Sequence, residues 1–181
     1  PEVVRYFLLS SHYRSPINYS EDNLIEARQG LERFYFALQN FAEVAPTPLV
    51  ELEGSAYYQR FIESMDDDFN TREAFSAMYD LVRELNTVAR KNQTKAQALA
   101  GELKALGGIL GVLQEDPEAF LKGASKETGG LSDAAIEALI AEREAAKLTK
   151  NYARADEVRE ELKQQGVILE DSREGTRWRR D

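Results

Sequence analysis

The sequence predicts a mainly α-helical protein: an antiparallel helical bundle followed by a small helix-helix-β-hairpin (α+β) module. Three observations carry that fold class. Apolar residues step by three and four through long stretches between residues 21 and 122, the period of a helix face. Breaks rich in proline, glycine and small polar residues separate those stretches: RSPINY, APTPL and GASKETGGLS. The closing GVILED and TRWRR alternate with a period of two around a short turn, as paired strands do.

The elements follow in order. Pro1 suits a first helical position, and VVRYFLLSSHY is apolar enough for a largely buried helix. Pro16 biases Ser15 out of the helical region and ends it. Ser20 is a good N-cap, with Glu21 and Asp22 in the first turn, where carboxylates suit the helix dipole. Leu24, Ala27, Leu31, Phe34, Leu38 and Phe41 then line one face of a long helix, which APTPL stops. A second helix carries Tyr57, Phe61, Ile62 and Met65. A third starts near Asn70 or Thr71 and aligns Ala74, Met78, Leu81, Leu85 and Val88. A fourth, from about Lys95, aligns Leu99, Leu103, Leu106, Leu110 and Leu113. Its Gly107, Gly108 and Gly111 each cost about 1 kcal/mol in a helix interior, so close approach of a neighbouring helix is expected there.

The predicted boundaries are 1–20 for a lead-in segment, 21–122 for the bundle, 123–131 for a linker and 132–181 for the module. In the module, Ser132 caps a helix with Ile136, Leu139 and Ile140 inward. After TKN a second helix puts Tyr152, Ala155, Val158 and Leu162 on one stripe, with Gly166 at C′.

Composition narrows the function. The 181 residues are 43% apolar and 30% charged, with a formal net charge of -9. No apolar run approaches the ~20 residues of a membrane span. No cysteine is present, so disulfides and thiolate metal sites are excluded. One histidine argues against a His-based zinc site or a conventional triad. The cytoplasm is the default compartment. The acidic balance opposes non-specific nucleic-acid binding, but it leaves room for a local basic surface.

Four stretches invite chemical readings. SMDDDFNT suggests a Mg²⁺ site or an acid-base pair, but no phosphate loop accompanies it. A connector with acids at a helix N-terminus is the favoured reading. In SSHYRSPINYS, Arg14 is either a weak phosphate contact or an ordinary ion pair. LGGILGVL follows a helical stripe, so a dinucleotide fingerprint is rejected. The C-terminal module is the most informative. Lys147, Lys150 and Arg154 lie in a stretch without any acid from Lys147 to Ala155, Asp156 lies one turn from Tyr152, and Asp171 ends the first strand. Arg177, Arg179 and Arg180 flank Trp178. The cations suit phosphates, and the aromatics suit splayed bases. A carboxylate matches the N1–H and N2–H₂ donors of unpaired guanine or the N4–H₂ of cytosine. Spacing leaves a second reading open: Tyr152 and Trp178 as module core, and Asp156 paired with Arg154, Arg159 or Lys163.

VVRYFLLSSHYRSPINYSEDNL, FIESMDDDFNT, LGGILGVL and ARADEVREELKQQGVILED…GTRWRR together resemble, in order, the C-terminal half of bacterial cysteinyl-tRNA synthetases. The resemblance implies a lead-in ending the stem-contact region, a DALR-type bundle and an anticodon-binding module. It implies a protein that recognises the GCA anticodon of cysteine tRNA, so that the full-length ATP-dependent ligase attaches cysteine to that tRNA. ATP and zinc are expected in the catalytic domain, whose signatures are missing here. This chain is then a fragment without a catalytic site or cofactor of its own. Cysteine tRNA and the catalytic domain are the expected partners, with no membrane and a monomeric state. Carried residue by residue, Asp156 and Asp171 fall on the family's reading acids. Tyr152 stands where tryptophan is common, and Lys147 where arginine is expected. Two alternatives stand beside this: a non-catalytic helical scaffold binding protein, and part of a related cysteine ligase acting on a sugar-amine. The GTRWRR ending counts against the latter.

Overall fold

The structure is a computed structural model that describes residues 1–122, 131–172 and 175–180, with the side chains at 172, 179 and 180 outside the description. It divides into two compact units, Pro1–Glu118 and Ala119–Asp181.

The first unit contains α1 (Glu2–Leu9), α2 (Glu21–Leu38), α3 (Ala56–Asp66), α4 (Thr71–Val88) and α5 (Gln93–Leu110). The starts lie where polar side chains satisfy the free N–H groups of a first turn. Ser20 accepts from the Asn23 N–H at 3.2 Å, and Asn70 from the Glu73 N–H at 3.3 Å. Asn92 accepts from the Lys95 N–H at 3.0 Å, so α5 begins two residues before the predicted Lys95. The expected aromatics are core: Phe34, Phe61 and Phe75 are all buried, beside Leu31, Met78, Leu81, Leu85, Leu103 and Leu106. Truncating any one of these leucines to Ala would cost about 2–5 kcal/mol.

The glycines of LGGILG do only in part what the sequence suggests. Helix α5 stops at Leu110, and Gly111 takes the left-handed conformation at φ 66°. The Val112 N–H then donates back to the Gly107 carbonyl at 2.8 Å. This closure lays Leu113 against Gly107, where an added Cβ would meet Leu113 Cδ1 at 2.8 Å. At Gly107 the close approach is by the chain's own return; at Gly111 it is by a neighbouring helix, where an added Cβ would meet Arg5 Nη1 of α1 at 2.9 Å.

The DDD run is a connector, but its first two acids lie at the C-terminal end of α3 and not in the first turn of a helix as expected. Asp66 ends α3, Asp68 and Phe69 adopt positive φ, and Asn70 caps α4. Among the described residues, no group of three His, Cys, Asp or Glu side chains is arranged to hold a metal ion.

The second unit holds the end of α6 (Pro117–Lys122), then α7 (Asp133–Leu148), α8 (Tyr152–Gln164), β1 (Val167–Ser172) and β2 (Gly175–Arg180). The division falls inside α6, earlier than the predicted bundle end at residue 122. Lys122 lies within this unit, its ammonium 5.2 Å from the Trp178 ring centroid and 3.6 Å from Glu137. Most of the predicted linker, 123–130, and the hairpin turn at 173–174 lie outside the described residues. Ser132 and Asn151 cap α7 and α8, and Gly166 sits left-handed at φ 70° after α8, as its position predicted. The strands pair antiparallel, with Leu169 opposite Trp178 and Asp171 opposite Thr176. The core is Ile136, Ile140, Val158, Leu162, Val167 and Trp178.

Candidate nucleic-acid interface

Three elements of the second unit converge on one arginine. Arg143 continues the inward stripe of α7 after Ile136 and Ile140, and is only 3% exposed. In the hairpin, side chains of paired residues share a face and alternate along the strand. Asp171 and Thr176 therefore lie on the same face as Leu169 and Trp178, at the turn end of the hairpin. That places the Asp171 carboxylate over the end of Arg143.

The two form a forked pair. Arg143 Nη1 donates to Asp171 Oδ1 at 2.9 Å, and Nη2 donates to Oδ2 at 2.7 Å. Thr176 Oγ1 donates to Oδ1 at 2.8 Å, and Lys147 Nζ lies 3.5 Å from Oδ2. The hydrogen bonds from Arg143 hold the Asp171 carboxyl well below the usual carboxylate range, with Thr176 and the Lys147 charge adding to the effect. The Asp171 side chain is nonetheless 49% exposed. Arg143 is held above its ordinary pKa chiefly by its hydrogen bonds to Asp171, with the Asp171 and Asp156 charges adding. Both predicted reading carboxylates thus act on one guanidinium.

Helix α8 supplies the rest of the surface. Tyr152 is its first residue and 62% exposed, so it leaves the core stripe on which Ala155, Val158 and Leu162 are buried. Asp156, one turn on, is exposed. The sequence left Asp156 with several possible partners, Arg154 among them. Arg154 instead donates to Glu142 at 2.8 Å and Glu157 at 3.1 Å. Asp156 has no hydrogen-bond or ion-pair partner among the described residues.

Trp178 is a correction. It is 6% exposed, belongs to the module core, and donates its indole N–H to Glu137 Oε1 at 2.7 Å. Its ring offers no open face for a base, because the strand register turns it inward opposite Leu169. Arg177 is opposite Glu170 on the other sheet face, away from Asp171. The backbones of Arg179 and Arg180 pair with Ile168 and Val167, and their side chains lie outside the described residues. In the first unit, Arg14 is tied to Asp68 at 3.2 Å and stands 5.3 Å from the Tyr13 ring centroid. Asp68 also accepts from the Tyr13 hydroxyl at 2.7 Å. Arg14 is therefore part of a local ion pair.

Sequence reasoning missed Arg143 and Thr176. The signal for Arg143 was present: an arginine three residues after Ile140 on an apolar stripe is a buried cation in need of an anion. Nothing local marks Thr176, which acquires its role only through strand pairing.

Residues 60–114 match the DALR domain, and residues 129–179 match the cysteinyl-tRNA ligase anticodon binding domain. A helical bundle joined to a hairpin module with an exposed ring, an open carboxylate and a forked ion pair thus falls in the class of synthetase anticodon-binding domains. The chain is 51% identical over its full length to the cysteine–tRNA ligase of Methylococcus capsulatus, covering 39% of that protein. It is 54% identical over 99% of its length to that of Thioalkalivibrio sulfidiphilus, covering 38%, and 50% identical over 99% to that of Pseudomonas aeruginosa, covering 37%. The chain belongs to the cysteine–tRNA ligase family and spans less than two-fifths of these relatives' length.

Proposed function

We propose that this chain reads the anticodon of cysteine tRNA for a full-length cysteine–tRNA ligase. The observation that carries the reading is the exposed group of Tyr152, Asp156 and Asp171 beside Lys147 at one end of the module. Tyr152 supplies a flat ring for an unpaired base, worth roughly 1–3 kcal/mol. Asp156 has both oxygens open, which suits the paired N1–H and N2–H₂ donors of guanine. Asp171 faces the same surface with fewer acceptor positions left. Lys147 brings positive charge beside this group, and the sequence adds Arg177, Arg179 and Arg180 along β2 on an otherwise acidic chain, the charge that RNA phosphates require. Trp178 supports the site from the core, holding β2 against α7 through Glu137.

Cysteine activation, with ATP and the zinc that the resemblance implies, belongs to the part of the ligase outside this chain. The work is cytoplasmic, where aminoacylation supplies translation. Among the described residues no helix is long and apolar enough to cross a membrane. The deciding experiment titrates this 181-residue chain with cysteine tRNA and with transcripts altered at each anticodon base. Tighter binding of the unaltered tRNA is expected. Equal affinity for all transcripts would overturn the proposal.

A further inference from the structure

We infer that Arg143 is a positioning residue for base discrimination, deciding which edge of Asp171 an RNA base can reach. The inference rests on the anticodon-reading proposal above. An ionised carboxylate offers about four acceptor positions. On Asp171, Oδ1 is filled by Arg143 Nη1 and Thr176 Oγ1 at 2.9 and 2.8 Å. On Oδ2, Arg143 Nη2 takes one position at 2.7 Å, leaving one directed toward Lys147 at 3.5 Å. Lys147, itself exposed, holds that last position by a long contact, so Asp171 presents at most a single acceptor to the exposed surface, freed when Lys147 turns to a phosphate. One acceptor satisfies one exocyclic amine, such as those of adenine or cytosine. It does not satisfy the two-donor edge of guanine, which needs both oxygens.

Arg143 exerts this control without touching RNA, since it is 3% exposed. Its presence calls for a reason beyond stability. Its Nε is buried without a hydrogen-bond partner, a costly arrangement. Replacing a buried ion pair by apolar side chains is often neutral or stabilising. What only arginine supplies is the planar fork that engages both carboxylate oxygens at once. Lysine would keep the charge but lose the fork, freeing one position on Oδ1 beside the Thr176 hydroxyl and loosening the carboxylate so that it can turn outward.

The test compares four chains: wild type, Arg143→Lys, Asp171→Asn and the double variant. Each is titrated with cysteine tRNA and with transcripts carrying guanine at each anticodon position in turn. At one position the wild type is expected to reject guanine, and Arg143→Lys to relax that rejection by about fivefold or more. The double variant should discriminate no worse than Asp171→Asn alone, because Arg143 acts through Asp171. A ¹³C carboxyl titration of Asp171, read without RNA, should show its midpoint moving up toward about 4 in Arg143→Lys. Unchanged discrimination in Arg143→Lys would overturn the inference, as would losses that multiply in the double variant. A wild type that does not discriminate at all would sink the anticodon reading and this inference with it. In that case, an Asp171 midpoint unmoved in Arg143→Lys would show that the fork itself is not what holds the carboxylate.

Discussion

Each unit of the molecule places a charge beside its core, but in opposite senses. In the first unit the buried group is the carboxylate. Glu2 is 4% exposed, accepts from the Tyr35 hydroxyl at 2.5 Å and from the Gln114 N–H at 2.9 Å, and ties α1 to α2 and to the chain after α5. Both of its hydrogen-bond donors are neutral and internal. In the second unit the buried group is the cation, Arg143, and its carboxylate partner is half exposed. The first arrangement locks helices together. The second displays an oriented anion to solvent. Polarity of burial thus separates a carboxylate held inside the protein from one left half exposed.

Four substitutions or conditions test that contrast. Asp171→Ala strands a buried guanidinium, so it should cost about 3 kcal/mol of unfolding free energy and also weaken base discrimination. Chemical denaturation and transcript titration read the two effects. Retained stability would mean that Arg143 finds water or another anion. Glu2→Ala leaves the Tyr35 hydroxyl and the Gln114 N–H without their acceptor and should cost about 2 kcal/mol. It should leave RNA affinity unchanged, and a change would break the division between the two carboxylates. Tyr152→Ala should do the reverse, lowering RNA affinity by about 1–2 kcal/mol, with stability unmoved within about 0.5 kcal/mol. The smallest effect is in acid. The Asp171 carboxyl titrates lower in the folded chain than in the unfolded chain, where a carboxylate of its type titrates near pH 3.9. The unfolded state therefore binds more protons as pH falls below about 4, and the Asp171 contribution to stability, complete above that pH, is lost through the acid limb. Denaturation midpoints for Asp171→Asn should fall less steeply than wild type between about pH 4 and 2.

Much of the fold was legible in the sequence, for a local reason. The N-caps Ser20, Asn70 and Ser132 act on N–H groups three residues away, and the stripes through Leu31–Leu38 and Met78–Leu85 repeat within one or two turns. Gly166 was legible because a left-handed residue after a helix favours glycine. Gly107 was misread because its partner, Leu113, approaches only after Gly111 has turned the chain back.

The candidate site was legible in its residue types and not in its arrangement. Lys147, Tyr152, Asp156 and Asp171 were marked by a mixture of cation, ring and acid. Their surroundings came from contacts distant along the chain. Arg143 and Asp171 are 28 positions apart, and Trp178 and Glu137 are 41 apart. By itself the sequence determined helix positions, caps, the hairpin and the chemical character of the C-terminal surface, since each depends on neighbours within about four residues. Tertiary structure alone decided that Trp178 turns inward, that Arg154 chooses Glu142, and that Asp171 is held with one side open. Strand register and helix packing set those outcomes, and both depend on which distant faces meet to bury apolar surface.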